Sequence, residues 1–207
     1  MSRHKPESGI SLPDRRNVIS FRKTVLREYR KLSRPMPWRD DCSPYAVFVS
    51  EVMLQQTQVD RVIPKFTAFV GRFPGFSELA AAPLSGVYAL WQGLGYNRRA
   101  KRLRDAAARI VDEFEGELPR EIEKLISLPG IGRNTAGAVM AYAFNEPVAY
   151  IETNIRTVFI RHFFAERTEV SDAEILPLVE RTLDRKNSRF GYWALMNHGA
   201  MLKKTEG

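Results

Sequence analysis

Three features of the chain predict an all-α fold: apolar residues recur at three-to-four spacing along most of its length, Pro- and Gly-bearing turns interrupt that pattern, and only Val148-Ala-Tyr-Ile151 resembles a strand. That run is too short to imply a sheet. In chain order, the polar Met1-Ser-Arg-His-Lys-Pro-Glu-Ser8 lacks an apolar signal core and reads as the start of a mobile tail over 1–17. Val18, Phe21, Val25, Leu26, Tyr29 and Leu32 form the first stripe, and Pro35-Met-Pro37 ends it as a turn. Ser43-Pro44 is a helix start, with serine as cap and proline at the first helical position. Val62, Phe66, Phe69, Val70 and Phe73 make a stripe closed by Phe73-Pro-Gly75. Leu103, Ala107, Ile110, Val111 and Phe114 make another, before Leu118-Pro119. A short helix from Glu121 to Ser127 precedes a helical pattern through Ala136, Val139, Met140 and Ala143, which stops at Asn145-Glu-Pro147. Ile155, Val158, Phe159 and His162 mark a helix running to Phe164. The chain has no internal repeat and no low-complexity tract.

With 207 residues, 44% of them apolar, the chain can build one substantial core or two small lobes sharing a cleft. It has no uninterrupted apolar run of about 18 residues, so no membrane span is expected. Cys42 is the sole cysteine, which excludes an internal disulfide and any all-cysteine metal site within the chain and points to a reducing cytoplasm. Cys42 reads as a loop thiol, His198 as a packed side chain, and neither they nor His4 suggest chemistry. Lys and Arg number 32 against 24 Asp and Glu, a net charge of +8 that favours a polyanionic partner.

Leu128-Pro-Gly-Ile-Gly-Arg-Asn-Thr135 carries the sharpest signal. Pro129 stiffens the exit from an apolar run, while Gly130 and Gly132 permit positive φ and close backbone approach. Arg133, Asn134 and Thr135 then open a helix whose unpaired amides suit a phosphate oxygen. With the preceding short helix this is a helix-hairpin-helix, a grip on the DNA backbone; the plainer account is a glycine-bearing connection between packed helices. Arg98 begins a basic run to Arg104 just after Gly93-Leu-Gly-Tyr96. Tyr96 at a flexible tip could wedge into a base stack, or simply pack beside a solvated helix face.

Two carboxyl groups suggest acid chemistry. Glu51 lies four residues after Val47, three after Phe48 and four before Gln55, so it shares a line with apolar groups. Partial removal from water would keep it protonated as a general acid, whereas a helix-boundary salt bridge is its structural alternative. Glu152 precedes the helix that Thr153 or Asn154 could cap. It is either favoured there by the helix dipole or kept ionised to face positive charge developing on a sugar.

Pro37-Trp-Arg, Ser43-Pro-Tyr-Ala-Val-Phe-Val-Ser-Glu-Val-Met-Leu-Gln-Gln-Thr-Gln-Val59, Trp91-Gln-Gly-Leu-Gly-Tyr96, Leu128-Pro-Gly-Ile-Gly-Arg133 and Ala194-Leu-Met-Asn-His-Gly-Ala-Met201 together resemble the A/G-mismatch adenine DNA glycosylases. These belong to the helix-hairpin-helix superfamily that includes endonuclease III, and the resemblance runs in order over 18–202. It implies a six-helix barrel over 35–144, containing the hairpin at 121–144, and a second lobe from 18–34 and 145–207. It implies a monomeric base-excision enzyme, cytoplasmic and nucleoid-associated if bacterial. Such an enzyme flips a nucleotide from double-stranded DNA into the cleft and hydrolyses its N-glycosidic bond. By position Glu51 matches the general acid, Gln55 and Gln56 the stack-filling and base-reading glutamines, and Tyr96 the wedge. Glu152 stands in place of the catalytic aspartate, and Asn154 matches the asparagine beyond it.

The chain departs from the pattern in four places. Glu152 is one methylene longer than the aspartate. Asn134 stands where lyase members carry lysine, so a monofunctional enzyme without lyase activity is expected. Lys203 falls where the first of four cluster cysteines would be, so no iron-sulfur cluster and no other cofactor or metal is expected. The lesion-reading domain is missing from the 207 residues. Adenine is the favoured target; a thymine, uracil or modified-base glycosylase, or a DNA-binding protein without catalysis, is the alternative.

Overall fold

A computed structural model describes residues 12–32 and 35–206. Among them every regular element is a helix, twelve in all. Two compact units divide the chain, one formed by Met1–Ser33 with Pro147–Gly207 and the other by Arg34–Glu146. Of the expected tail, residues 1–11 with His4 lie outside the described residues, as does the side chain of Leu32.

The unit Arg34–Glu146 holds α2 (Pro37–Asp40), α3 (Pro44–Leu54), α4 (Val59–Arg72), α5 (Phe76–Ala81), α6 (Leu84–Trp91), α7 (Arg98–Phe114), α8 (Ile122–Ser127) and α9 (Arg133–Phe144). Ser43 caps α3 as expected, its side chain accepting from the Ala46 amide at 3.3 Å with Pro44 behind it. Tyr45 to Ser50, Val52 and Met53 are all buried, so α3 is enclosed on nearly every side and packs on α4, α7 and α9. Facing it, α9 buries Ala136 to Ala143 without interruption, and its alanines and Gly137 let the two backbones draw together. Trp91, Phe48, Phe69, Leu103 and Ile110 fill the space between the outer helices. Pro35-Met-Pro37, expected as a turn only, also opens α2: Pro37 sits at a first helical position, where its missing N–H costs nothing. The short helices α5 and α6 escape a periodicity argument because six and eight residues hold barely two turns each.

The unit of the two chain ends contains α1 (Arg15–Leu32), α10 (Thr153–Phe163), α11 (Asp172–Thr182) and α12 (Ser188–Glu206). α1 begins at Arg15, inside the stretch expected as tail, because Asp14 caps it: its carboxylate accepts from the Asn17 amide at 2.8 Å. Phe21 meets Phe159 and Phe163 at ring-centroid distances of 5.3 and 5.2 Å, and Ile155, Val158, Ile175, Leu178 and Tyr192 complete the core. The strand-like Val148–Ile151 is irregular backbone. The Tyr192 hydroxyl accepts from the Tyr150 amide at 3.3 Å and donates to the Val148 carbonyl at 2.9 Å, satisfying backbone groups a sheet partner would otherwise take.

Candidate functional site

In the unit Arg34–Glu146 the expected residues gather at the C-terminal end of α3. Glu51 is half-buried between the buried Ser50 and Val52, one turn before that end. Gln55, the C-cap, donates through Nε2 to the Gly130 carbonyl at 3.4 Å and to Thr135 Oγ1 at 3.3 Å. It thereby ties α3 to the hairpin turn. Gln56 follows in the left-handed region at φ 55°, exposed, a conformation a non-glycine residue adopts only when its neighbours impose it.

Arg99 holds both neighbours of Gln56: Gln55 and Thr57. Its guanidinium, on a residue 8% exposed, donates to the Val52 and Met53 carbonyls at 2.9 Å, to the Gln55 carbonyl, to Thr57 Oγ1, and to the Leu94 and Gly95 carbonyls at 3.3 Å. One planar cation thus satisfies the last carbonyls of α3 and the glycine loop carrying Tyr96. Tyr96 is 64% exposed with φ 48°, its carbonyl bonded by the Arg99 amide at 2.8 Å and its ring 5.5 Å from the guanidinium. The tyrosine expected at a flexible tip therefore stands out from a pinned one. The basic run after it is likewise less free than its composition suggests. Lys101 pairs with Asp105 at 2.6 Å and Arg104 bonds the Ala82 carbonyl, while Arg98 remains exposed at the start of α7.

The hairpin forms as expected between α8 and α9, with Leu128 and Ile131 buried as anchors. Its two glycines serve different needs. Gly130 has φ 84°, and a Cβ there would meet Arg102 side-chain atoms at 3.0 and 3.1 Å. Gly132 corrects the sequence reading: its φ is −97°, open to any residue, and a Cβ would meet nothing within 4 Å. What Gly132 provides is empty space at the mouth of α9, where no side chain caps the helix and Arg133 and Asn134 are exposed. A helix start left with uncommitted amides and open space is what an anionic oxygen requires.

In the other unit, Glu152 is itself the N-cap of α10, a role the sequence assigned to Thr153 or Asn154. Its Oε1 accepts from the Asn154 and Ile155 amides at 2.7 and 2.9 Å. The longer glutamate side chain bends back over its own helix and does the work of a capping aspartate or serine. Burial pushes its carboxyl above the ordinary value of 4.5, against the pull of the Ile155, Asn154 and Thr153 amides and of Lys203. Desolvation is thus the largest influence on this carboxyl, ahead of the helix-start amides. Asn154 turns its Oδ1 to the Lys203 ammonium at 2.9 Å. Gly199 on α12 lies against the Asn154 backbone, so a Cβ there would fall 2.7 Å from the Asn154 carbonyl carbon. His198 packs, buried, with its Nε2 3.0 Å from that of His162.

Sequence reasoning missed Arg99 and Gly199 as determinants of the site. Arg99 was lost among basic neighbours; Gly199 stood inside Ala194–Met201, where a glycine in a helix could have signalled a close approach. At the position where the family resemblance would place a first cluster cysteine, the Lys203 ammonium donates to Asn154 Oδ1, and the Cys42 thiol donates to the Arg39 carbonyl.

The chain belongs to the HhH-GPD superfamily of base excision DNA repair proteins, whose family model matches residues 49–180. It is 40% identical over 147 residues to the adenine DNA glycosylase of Buchnera aphidicola subsp. Baizongia pistaciae, covering 70% of this chain and 42% of that protein. To the adenine DNA glycosylase of Mus musculus it is 42% identical over 154 residues, covering 70% of this chain and 30% of that protein. It therefore spans less than half the length of either relative. A solved thermostable thymine-DNA glycosylase shares the fold, with a TM-score of 0.81 over 90% of this chain and 87% of that one at 24% identity.

Proposed function

We propose that the chain is a monofunctional DNA glycosylase of base excision repair, acting as a monomer on double-stranded DNA with mismatched adenine as its favoured base. The observation that carries this reading is the placement of Glu152. Its half-buried carboxyl is held by the Asn154 and Ile155 amides beside a lysine, and burial pushes it above its ordinary value. Its position matches the catalytic aspartate of the adenine glycosylases, and Asn154 matches their asparagine.

In the reaction the bond between C1′ and the base nitrogen breaks, and its electron pair leaves with the base. Glu51 donates the proton that neutralises the departing base. The positive charge left on the sugar is met by ionised Glu152, and water adds to C1′, its proton passing to the Glu51 carboxylate, which restores the acid and leaves an abasic site. The hairpin amides at Gly130, Gly132, Arg133, Asn134 and Thr135 hold a backbone phosphate. Tyr96 fills the stack as Gln55 and Gln56 contact the bases exposed by flipping. Asn134 has no amine to form a Schiff base, so strand breaks arise only after alkali.

Duplexes carrying defined mismatches and lesions, incubated with the protein and then treated with alkali, test this directly. Base release is expected from at least one duplex, with strand cleavage only after alkali. Glu51→Gln is expected to lower single-turnover release about a hundredfold or more while duplex affinity holds. Release unchanged in that variant would remove Glu51 from the acid role.

A further inference from the structure

Gly199 and Lys203 lie four residues apart on α12, one helical turn, and so share a face. The glycine lets α12 approach the Asn154 backbone more closely than any other residue would allow, and that approach delivers the lysine to the Asn154 side chain. The contact has a chemical consequence on each side. With Oδ1 occupied by the ammonium, the Asn154 carboxamide is oriented, and its two N–H donors are left for a substrate oxygen. At the neighbouring cap, the same ammonium adds an attractive charge to a carboxylate that otherwise has only the amides of Thr153, Asn154 and Ile155. Backbone dipoles alone compensate the anion incompletely in a half-buried setting; a full cation nearby adds to them.

We propose that Lys203 is a positioning residue for the reaction: its ammonium, brought in by Gly199, fixes the Asn154 carboxamide and supplies the compensating positive charge beside the half-buried Glu152. It touches neither base nor sugar and acts through these two residues. The proposal rests on the reading of Glu152 as the carboxylate that meets the sugar cation, and its test is separable from that reading.

The decisive comparison is Lys203→Met against the parent chain, with Lys203→Arg as the conservative variant that restores charge. The Glu152 carboxyl is followed by carbon-13 NMR of glutamate-labelled protein, its resonance identified by its disappearance in Glu152→Gln. Lys203→Met is expected to raise its titration midpoint by roughly half a pH unit, which lowers the ionised fraction about threefold on the acid side. Lys203→Arg is expected to return the midpoint toward the parent value. In single-turnover base release, the acid limb of the Lys203→Met rate profile moves to higher pH by the same interval, with rates converging at high pH. Midpoints that coincide in parent and Lys203→Met overturn the proposal. A loss of rate equal at every pH does so too, since it marks a merely structural role. If no duplex releases a base, the function proposed above fails, while the NMR titration still decides whether Lys203 acts on Glu152.

Discussion

Two helix starts in the same unit use glutamate in opposite ways. At α11 Ser171 and Glu174 form a capping box: the Glu174 carboxylate accepts from the Ser171 amide at 2.9 Å and the Ser171 hydroxyl at 2.8 Å, and Arg167 pairs with it at 2.6 Å. At α10 Glu152 accepts from two amides at comparable distances. Both carboxylates take backbone amides, but the Ser171 amide, Arg167 and the Ser171 hydroxyl hold Glu174 down at about 2, whereas burial pushes Glu152 above 4.5. Desolvation outweighs the amides at Glu152, and the bonds from Ser171 and Arg167 outweigh it at Glu174. Glu174 stabilises the fold wherever it is ionised. Glu152, with its folded value raised, contributes fully only below the unfolded value, and that contribution is lost as pH rises through the folded one. Ionised Glu152 thus stabilises the fold less than its protonated form does, the reverse of Glu174.

Glu152→Gln provides the sharpest test of that contrast. Glutamine keeps an oxygen for the Asn154 and Ile155 amides and removes the charge that burial disfavours. Base release is expected to fall about a hundredfold or more, from loss of the anion facing the sugar cation. The melting temperature at pH 7 is expected to stay level or rise. A variant that lost activity and melting temperature together would make Glu152 an ordinary cap, and the comparison would collapse. Gly199→Ala comes next. Its Cβ would collide with the Asn154 backbone and force α12 away from α10, an overpacking expected to cost about 1 to 3 kcal/mol in urea denaturation. An unchanged midpoint would mean that the helices separate freely, and with them the burial of Glu152.

Much of this was legible beforehand where a signal is local. Apolar stripes located α1, α4, α7 and α10, and Ser43-Pro44 located the start of α3, because spacing and capping act over a few residues. The hairpin could be read from Pro129, Gly130 and Gly132, although only Gly130 needs its positive φ. What could not be read are roles created by tertiary contact. The charge of Arg99 looks like that of Arg98 until the fold aims six acceptors at one and leaves the other in solvent. Glu152 as a cap was equally hidden, since glutamate is a poor residue for that role by propensity and succeeds here by folding back.

The smallest expected effects lie at α11, where the cap has no task beyond stability. Ser171→Ala removes the side-chain half of the capping box and is expected to cost about 1 kcal/mol, a drop of roughly 2 to 4 °C in melting temperature, with base release unchanged. Glu174→Gln separates charge from geometry. The folded value of Glu174 is lowered, so its contribution is present above the ordinary 4.5 and lost as pH falls toward about 2. The stability difference between parent and Glu174→Gln, measured by denaturation at a series of pH values, is therefore expected to shrink across that interval. The corresponding difference between parent and Glu152→Gln runs the other way, the parent losing ground as pH rises through the raised Glu152 value. Parallel trends at the two positions would show that burial does not distinguish them. Opposed trends locate the distinction in the balance at each carboxylate: desolvation prevails at α10, while at α11 the Ser171 amide, Arg167 and the Ser171 hydroxyl prevail.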